Sequence, residues 1–282
     1  LPPSNIKRMP AVGVPLRSAD RNTMKIRSGR GSKNPQSYRQ RTYRGLVDRA
    51  ELVATQVRLR ETDLQILADR DVTRSAGELV AGCRLQLERY IERHGDFAGS
   101  LTPLPDDELA PPIVRRMLAA AEQSGVGPMA AVAGAVAEYV GNGLVAAGCK
   151  EVIVENGGDI FLLRSRPCTI AVFAGRSPLS NRVGLRLPAR QQPLGVCTSS
   201  GTIGHSLSLG RADSVTVVAD SATTADAAAT RLGNEAGTST DPHEMVRRVL
   251  AAADRLPTID GVLVICGDVM GAVGAIELVP LS

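Results

Sequence analysis

Apolar and polar residues change their period several times along this chain, and each change predicts an element. Residues 50–60 (AELVATQVRLR) and 62–68 (TDLQILA) alternate closely enough to predict a strand pair. Ser75 and Glu78 have the spacing of a capping box, opening a helix to about His94 with Leu79, Leu85, Leu87 and Ile91 among its apolar positions. A proline-bearing loop over 101–112 leads to a second helix at 113–123. In the stretch 125–148, Pro128 suits a first helical position, and the following helix is apolar almost all round, so it belongs at the centre of the fold. Glu138, Asn142 and several glycines interrupt it and its flanks are not basic, which favours a buried helix over a membrane span. Its Gly125-Val126-Gly127-Pro128 start exposes N–H groups of the kind that bind anions.

The second half reads mainly as strands. EVIVE (151–155) and IFLLR (160–164) flank Asn156-Gly157-Gly158-Asp159. Asn-Gly is a hairpin signal; equally, the two glycines open the backbone to a ligand that Asp159 could bind, and both readings stand. Further strands are predicted at 169–173, 182–187, 195–199 and 214–219. Asp220 or Ser221 can cap an alanine-rich helix that follows, and Asp241-Pro242-His243-Glu244 reads as the start of another, to about Leu256. Residues 262–266 and 275–279 close the chain as strands around a glycine-rich turn. Helices and hairpins are interspersed without regular βαβ alternation, so the class is α+β.

Composition narrows the function classes. Of 282 residues, 43% are hydrophobic but only 2% aromatic, with no Trp, which argues against a stacking surface for single-stranded nucleic acid. The five cysteines (Cys83, Cys149, Cys168, Cys197, Cys266) form no CxxC, so neither a disulfide framework nor a zinc ribbon is expected, and a reducing cytoplasmic setting is. The net charge of +4 conceals a division: residues 1–44 hold 11 Lys/Arg against Asp20 alone, and the remainder holds 22 basic against 28 acidic residues. Residues 1–37 are aperiodic and rich in Pro, Gly, Ser and Asn, so they are expected to be a disordered basic tail, with a single domain over 38–282.

The candidate chemistry gathers between Gly195 and Leu232. Thr198-Ser199-Ser200-Gly201 leaves the backbone open to a bound group, and His205 follows. On the helix after the 214–219 strand, Asp226 and Thr230 are four residues apart, which stacks a carboxylate and a hydroxyl on one face. Two such oxygen groups suit a hard cation such as Mg²⁺. The plainer alternatives are a solvated aspartate, a threonine bonded back to its own helix, and a satisfied polar histidine.

Four stretches carry a family resemblance: Glu61-Thr62-Asp63-Leu64, Gly127-Pro128-Met129-Ala130-Ala131, Glu155-Asn156-Gly157-Gly158-Asp159-Ile160, and Ser199-Ser200-Gly201 running into 215–232. In order and spacing they resemble the UPF0280 family, a branch of the superfamily of ApbE, the FAD:protein FMN transferase. The resemblance spans roughly 38–282. It implies an ApbE-like, T-fold-related architecture of mixed sheets packed with helices, and FAD and Mg²⁺ as ligands. Asn156, Gly157, Gly158 and Asp159 would lie at the flavin site beside Thr198, Ser199, Ser200 and Gly201, and Asp226 and Thr230 would bind the metal. ApbE enzymes also carry a lysine in an AKG-type motif; the matching helix here reads Val132-Ala133-Gly134. Their HxIDP-type segment after the TSG loop is replaced by His205-Ser206-Leu207-Ser208.

Two functional classes follow. One is an Mg²⁺-dependent FAD or nucleotide enzyme that transfers FMN or splits a pyrophosphate, with His205 moving a proton. The other is an accessory protein of sulfur relay or homocysteine formation, as the resemblance implies for some archaeal relatives, with Cys197 as the sulfur carrier. A flavin-binding module without turnover is a third reading. The expected partner is a small nucleotide ligand, with a second copy of the chain as an option, and neither membrane nor nucleic acid is expected.

Overall fold

A computed structural model describes residues 52–201 and 210–281. The basic tail and His205 lie outside the described residues. The strands are β1 (Val53–Leu59), β2 (Thr62–Ala68), β3 (Val152–Asn156), β4 (Asp159–Leu163), β5 (Cys168–Ala171), β6 (Val183–Leu187), β7 (Leu194–Ser199), β8 (Ser214–Ala219), β9 (Gly261–Cys266), β10 (Val269–Gly274) and β11 (Glu277–Pro280). The helices are α1 (Thr73–Arg93), α2 (Pro112–Ser124), α3 (Val132–Ala146), α4 (Ala222–Glu235) and α5 (Pro242–Ala253). Eight strands form one antiparallel sheet in the order β1-β2-β3-β4-β7-β8-β9-β10, and β11-β6-β5 form a second. The class is α+β, as the interspersed hairpins and helices imply.

Both faces of the large sheet are covered, which is why its central strands are apolar runs instead of alternating ones. On the inner face Leu64, Ile66, Val154, Phe161, Val217 and Val264 pack against the helices. On the outer face Ile153, Leu162, Val196, Val218 and Ile265 pack against Ile170 and Leu185 of the small sheet. By length and composition alone, Pro128–Ala146 could cross a membrane. In the fold, α3 lies against β3 and β4 on one side and against α1 and α4 on others.

Local chemistry sets the boundaries. Ser221 caps α4, its side chain accepting from the Thr224 amide at 3.2 Å. Asp241 caps α5 by accepting from the His243 amide at 3.0 Å, with Pro242 at the first helical position. The expected Ser75–Glu78 capping box does not form. Asp71, two residues before α1, accepts from both the amide and the hydroxyl of Thr73, so the helix starts earlier and Glu78 pairs with Arg74. Pro128 opens a 3₁₀ turn (Pro128–Ala131) that runs into α3, instead of α3 itself. The glycine-rich segment expected as a turn is largely strand β10, paired with β9, and the last strand begins only at Glu277. Gly271 makes this possible: a Cβ there would lie 2.6 Å from Val246 Cγ1 and 2.9 Å from Leu250 Cδ1, so glycine lets α5 settle onto the strand.

Candidate functional site

The Asn156-Gly157-Gly158-Asp159 segment is a hairpin turn. Asn156 and Asp159 pair across it, and both glycines have positive φ, +70° and +106°. The Gly158 amide donates to Glu155 Oε1 at 2.9 Å, and the Asn156 side-chain amide donates to the Ala133 carbonyl at 3.0 Å, tying the turn to the start of α3. Asp159 opens β4 on the face it shares with Phe161, toward the helices. Its Oδ1 accepts from the Thr198 amide at 3.2 Å.

From the other side, α4 brings Asp226 to the same place. Asp226 Oδ2 accepts from the Gly134 amide at 2.8 Å. That approach needs glycine, since a Cβ on residue 134 would lie 2.2 Å from the Ala222 carbonyl oxygen and 2.8 Å from Asp226 Cβ. One turn along α4, Thr230 Oγ1 stands 3.5 Å from the Ala130 carbonyl oxygen, at the limit of a hydrogen bond. Two carboxyls thus share one neighbourhood between the sheet and the α3–α4 pair, with the Thr230 hydroxyl and Ala130 carbonyl one helical turn along, and Asp159 is 6% and Asp226 9% exposed.

Burial dominates the electrostatics. It pushes Asp226 up to about 7, against the pull of the Gly134 and Ala133 amides. Asp159 is raised well above the carboxylate range, first by burial and then by the charge of Asp226. The Cys197 thiol is raised well above its ordinary value by burial, then by Asp159 and Asp226, and it donates to the Ala222 carbonyl at 3.2 Å. It is a thiol, not a thiolate, at neutral pH.

The Thr198–Gly201 segment divides. The Thr198 amide faces Asp159, but its hydroxyl bonds Thr216 Oγ1 at 2.9 Å on the opposite face of the sheet, the one holding Val196 and Val218. Ser199 is on the Cys197 side, and its Oγ is buried without a hydrogen-bond partner among the described residues. The Gly201 amide bonds the Ala212 carbonyl at 3.0 Å. The structure thus brings Asn156, Gly157, Gly158, Asp159, Cys197, the Thr198 backbone and Asp226 together, with Thr230 one turn away. Sequence reasoning missed the Ala133 amide and the Ala130 carbonyl, because a backbone donor or acceptor leaves no mark in residue type, and the Gly134 amide, whose one mark is the glycine itself.

Among the described residues no group of three or more His, Cys, Asp and Glu has metal-binding spacing. A cation here would rely on hydroxyl, carbonyl and water oxygens beside the carboxylates.

The family model described as "AbpE bacteria" matches residues 44–260. A UPF0280 protein of Methanocaldococcus jannaschii is 43% identical over 225 residues, covering 78% of this chain and 91% of the relative. One from Methanococcus vannielii is 41% identical over 229 residues, covering 80% and 92%. The chain belongs to the UPF0280 family. That family is a branch of the ApbE superfamily. The solved ApbE protein of Thermotoga maritima, 16% identical, covers 80% of this chain and 96% of its own at a TM-score of 0.49, a loose likeness. In this UPF0280 protein the start of α3 offers backbone groups to the site, the Ala133 carbonyl to Asn156 and the Gly134 amide to Asp226.

Proposed function

We propose that this UPF0280 protein binds Mg²⁺ and a flavin nucleotide, FAD, at the inner-face site, and cleaves the FAD pyrophosphate with transfer of FMN to an acceptor. The observation that carries this reading is the placing of two buried carboxyls, Asp159 and Asp226, with Thr230 and the Ala130 carbonyl one helical turn along from Asp226. Carboxyls so poorly solvated either keep their protons or take a counter-charge, and the oxygen donors beside them fit a hard divalent cation that could displace the protons. The Ser199 hydroxyl, buried without a partner among the described residues, fits a polar ligand. So does the open space beside Gly158, where a Cβ would meet nothing within 4 Å. A solved ApbE protein of Pseudomonas stutzeri is named a flavinyl transferase.

In this reading Asp226 and Thr230 hold the cation, and the Gly134 amide fixes the carboxylate rotamer. Bound Mg²⁺ would neutralise pyrophosphate charge as it develops. Asp159 and the Asn156–Gly158 turn orient the flavin portion, Thr198–Gly201 line the adjoining wall, and His205 moves the proton. Cys197 lends nothing to a sulfur-relay reading, because its thiol is buried and held by the Ala222 carbonyl.

The test is purified protein incubated with FAD, with and without Mg²⁺, and chromatography of the flavins. Mg²⁺-dependent appearance of AMP with free or protein-bound FMN is expected, and Asp226→Ala should abolish it. Intact FAD that nonetheless binds would refute turnover and leave a flavin-binding module. Binding of FAD by Asp226→Ala as tight as by the parent would remove that residue from the metal role.

A further inference from the structure

The most apolar helix of the chain carries one buried acid that no part of the site touches. Glu138, on α3, is 7% exposed. Its Oε2 accepts three bonds from the start of α4: Ser221 Oγ at 2.6 Å, the Thr223 amide at 3.0 Å and Thr223 Oγ1 at 3.0 Å. Its Oε1 accepts from Arg116 Nη1 of α2 at 2.5 Å. Three helices are joined at one carboxylate. Stabilising the α4 terminus alone would not require this, since Ser221 already caps the Thr224 amide. A buried carboxylate is costly unless its bonds are fully made, as they are here.

The spacing shows what the contact fixes. On α3 and the turn before it, Ala130, Gly134 and Glu138 are four residues apart. On α4, Thr223, Asp226 and Thr230 are three and four apart. They pair as Glu138 with Thr223, Gly134 with Asp226, and Ala130 with Thr230. These are three successive rungs between the two helices. The second and third carry the candidate metal residues, and in the first one carboxylate, outside that site, takes three bonds from the start of α4. The rungs loosen along the series, from three bonds between Glu138 and the start of α4 to one 3.5 Å contact at Thr230.

We infer that Glu138 is a positioning residue for the cation site: by gripping the first turn of α4 it sets the axial register at which Asp226 and Thr230 are presented. This rests on the Mg²⁺ reading above. It adds a residue outside the site on which cation affinity depends, with Arg116 as its orienter.

The experiment is calorimetry of Mg²⁺ binding in the presence of FAD for the parent, Glu138→Ala and Glu138→Gln, with thermal melting of each protein. All titrations are run well below the melting temperature, so that only folded protein is titrated. Loss of outer partners of metal ligands commonly costs about 10–100-fold in metal affinity. We expect Glu138→Ala to lose at least about tenfold, and Glu138→Gln, which keeps the volume and an acceptor for the Thr223 amide, to recover part of that loss. Parent-like Mg²⁺ affinity in a folded Glu138→Ala protein with a lowered melting temperature would overturn the inference, leaving Glu138 a stability contact. If Glu138→Ala does not fold, Glu138→Gln decides: weakened Mg²⁺ binding supports the inference and parent-like binding overturns it. If the parent itself binds no Mg²⁺ with FAD, the cation reading fails first and takes the inference with it.

Discussion

Gly134→Ala puts the helix packing at the site to a quantitative test. In a free helix the change is favourable, because alanine exceeds glycine in helix propensity by about 1 kcal/mol. In this fold the added Cβ would lie 2.2 Å from the Ala222 carbonyl oxygen and 2.8 Å from Asp226 Cβ. The helices must part by about 1 Å before those contacts reach ordinary van der Waals distance. Such a shift stretches the 2.8 Å bond from the Gly134 amide to Asp226 beyond useful length. Losing a bond to a charged acceptor costs about 1.5–3 kcal/mol, and overpacking a core costs about 1–3 kcal/mol. Against the propensity gain, the net expectation is a destabilisation of about 1.5–5 kcal/mol. Urea unfolding at fixed pH measures it. Gly82→Ala in α1 is the control of opposite sign, since a Cβ there meets nothing within 4 Å and should stabilise by about 1 kcal/mol. A Gly134→Ala protein as stable as the parent, beside the expected gain at Gly82, would refute the close α3–α4 contact.

The raised carboxylates make stability depend on pH. A raised Asp holds its proton in the folded chain and loses it in the unfolded one, so in chelator the protein should lose stability as pH rises from the ordinary value of 3.8 to about 7 for Asp226, and Mg²⁺ should flatten that decline; a metal-free profile flat across this window would contradict the burial of the pair. Cys197 is buried and its thiol is raised, so thiol reagents should leave it unlabelled in the native protein and modify it on denaturation, as mass spectrometry of the labelled peptide would read; rapid native labelling or a native persulfide would reinstate a sulfur role.

How much of this was legible depended on the kind of interaction. The alanine-rich α4 and the stacking of Asp226 under Thr230 follow from local spacing, and Asp241-Pro242 announced α5 as written. The Asn156–Asp159 segment allowed two readings, a hairpin and a ligand turn. The hairpin is there, and its last residue faces inward, where the second reading would need it. The nearness of Asp159 to Asp226 could not be read, since it arises from the pairing of β4 with β7 and the docking of α4 onto both. Nor could the anchoring of Asp226 by Gly134, where the informative feature is a missing Cβ. Gly271 misled for the same reason: a glycine that admits α5 looks, in sequence, like one that breaks a strand.

The sheet order has a consequence for how the protein is made. Asp159 and the Thr198 amide lie on β4 and β7, the central pair, with three strands on either side. The chain leaves the sheet after β4, makes β5 and β6 of the small sheet, and only then returns as β7. A nascent chain that has built β1 to β4 and α3 holds Asp159 and Ala130 but neither Thr198, Asp226 nor Thr230. The site therefore comes into being at the join between two halves synthesised at different times, once α4 has docked. If the proposed cation binds, it can lock only the finished protein, with no complete site to template while the ribosome is still at work on the first half.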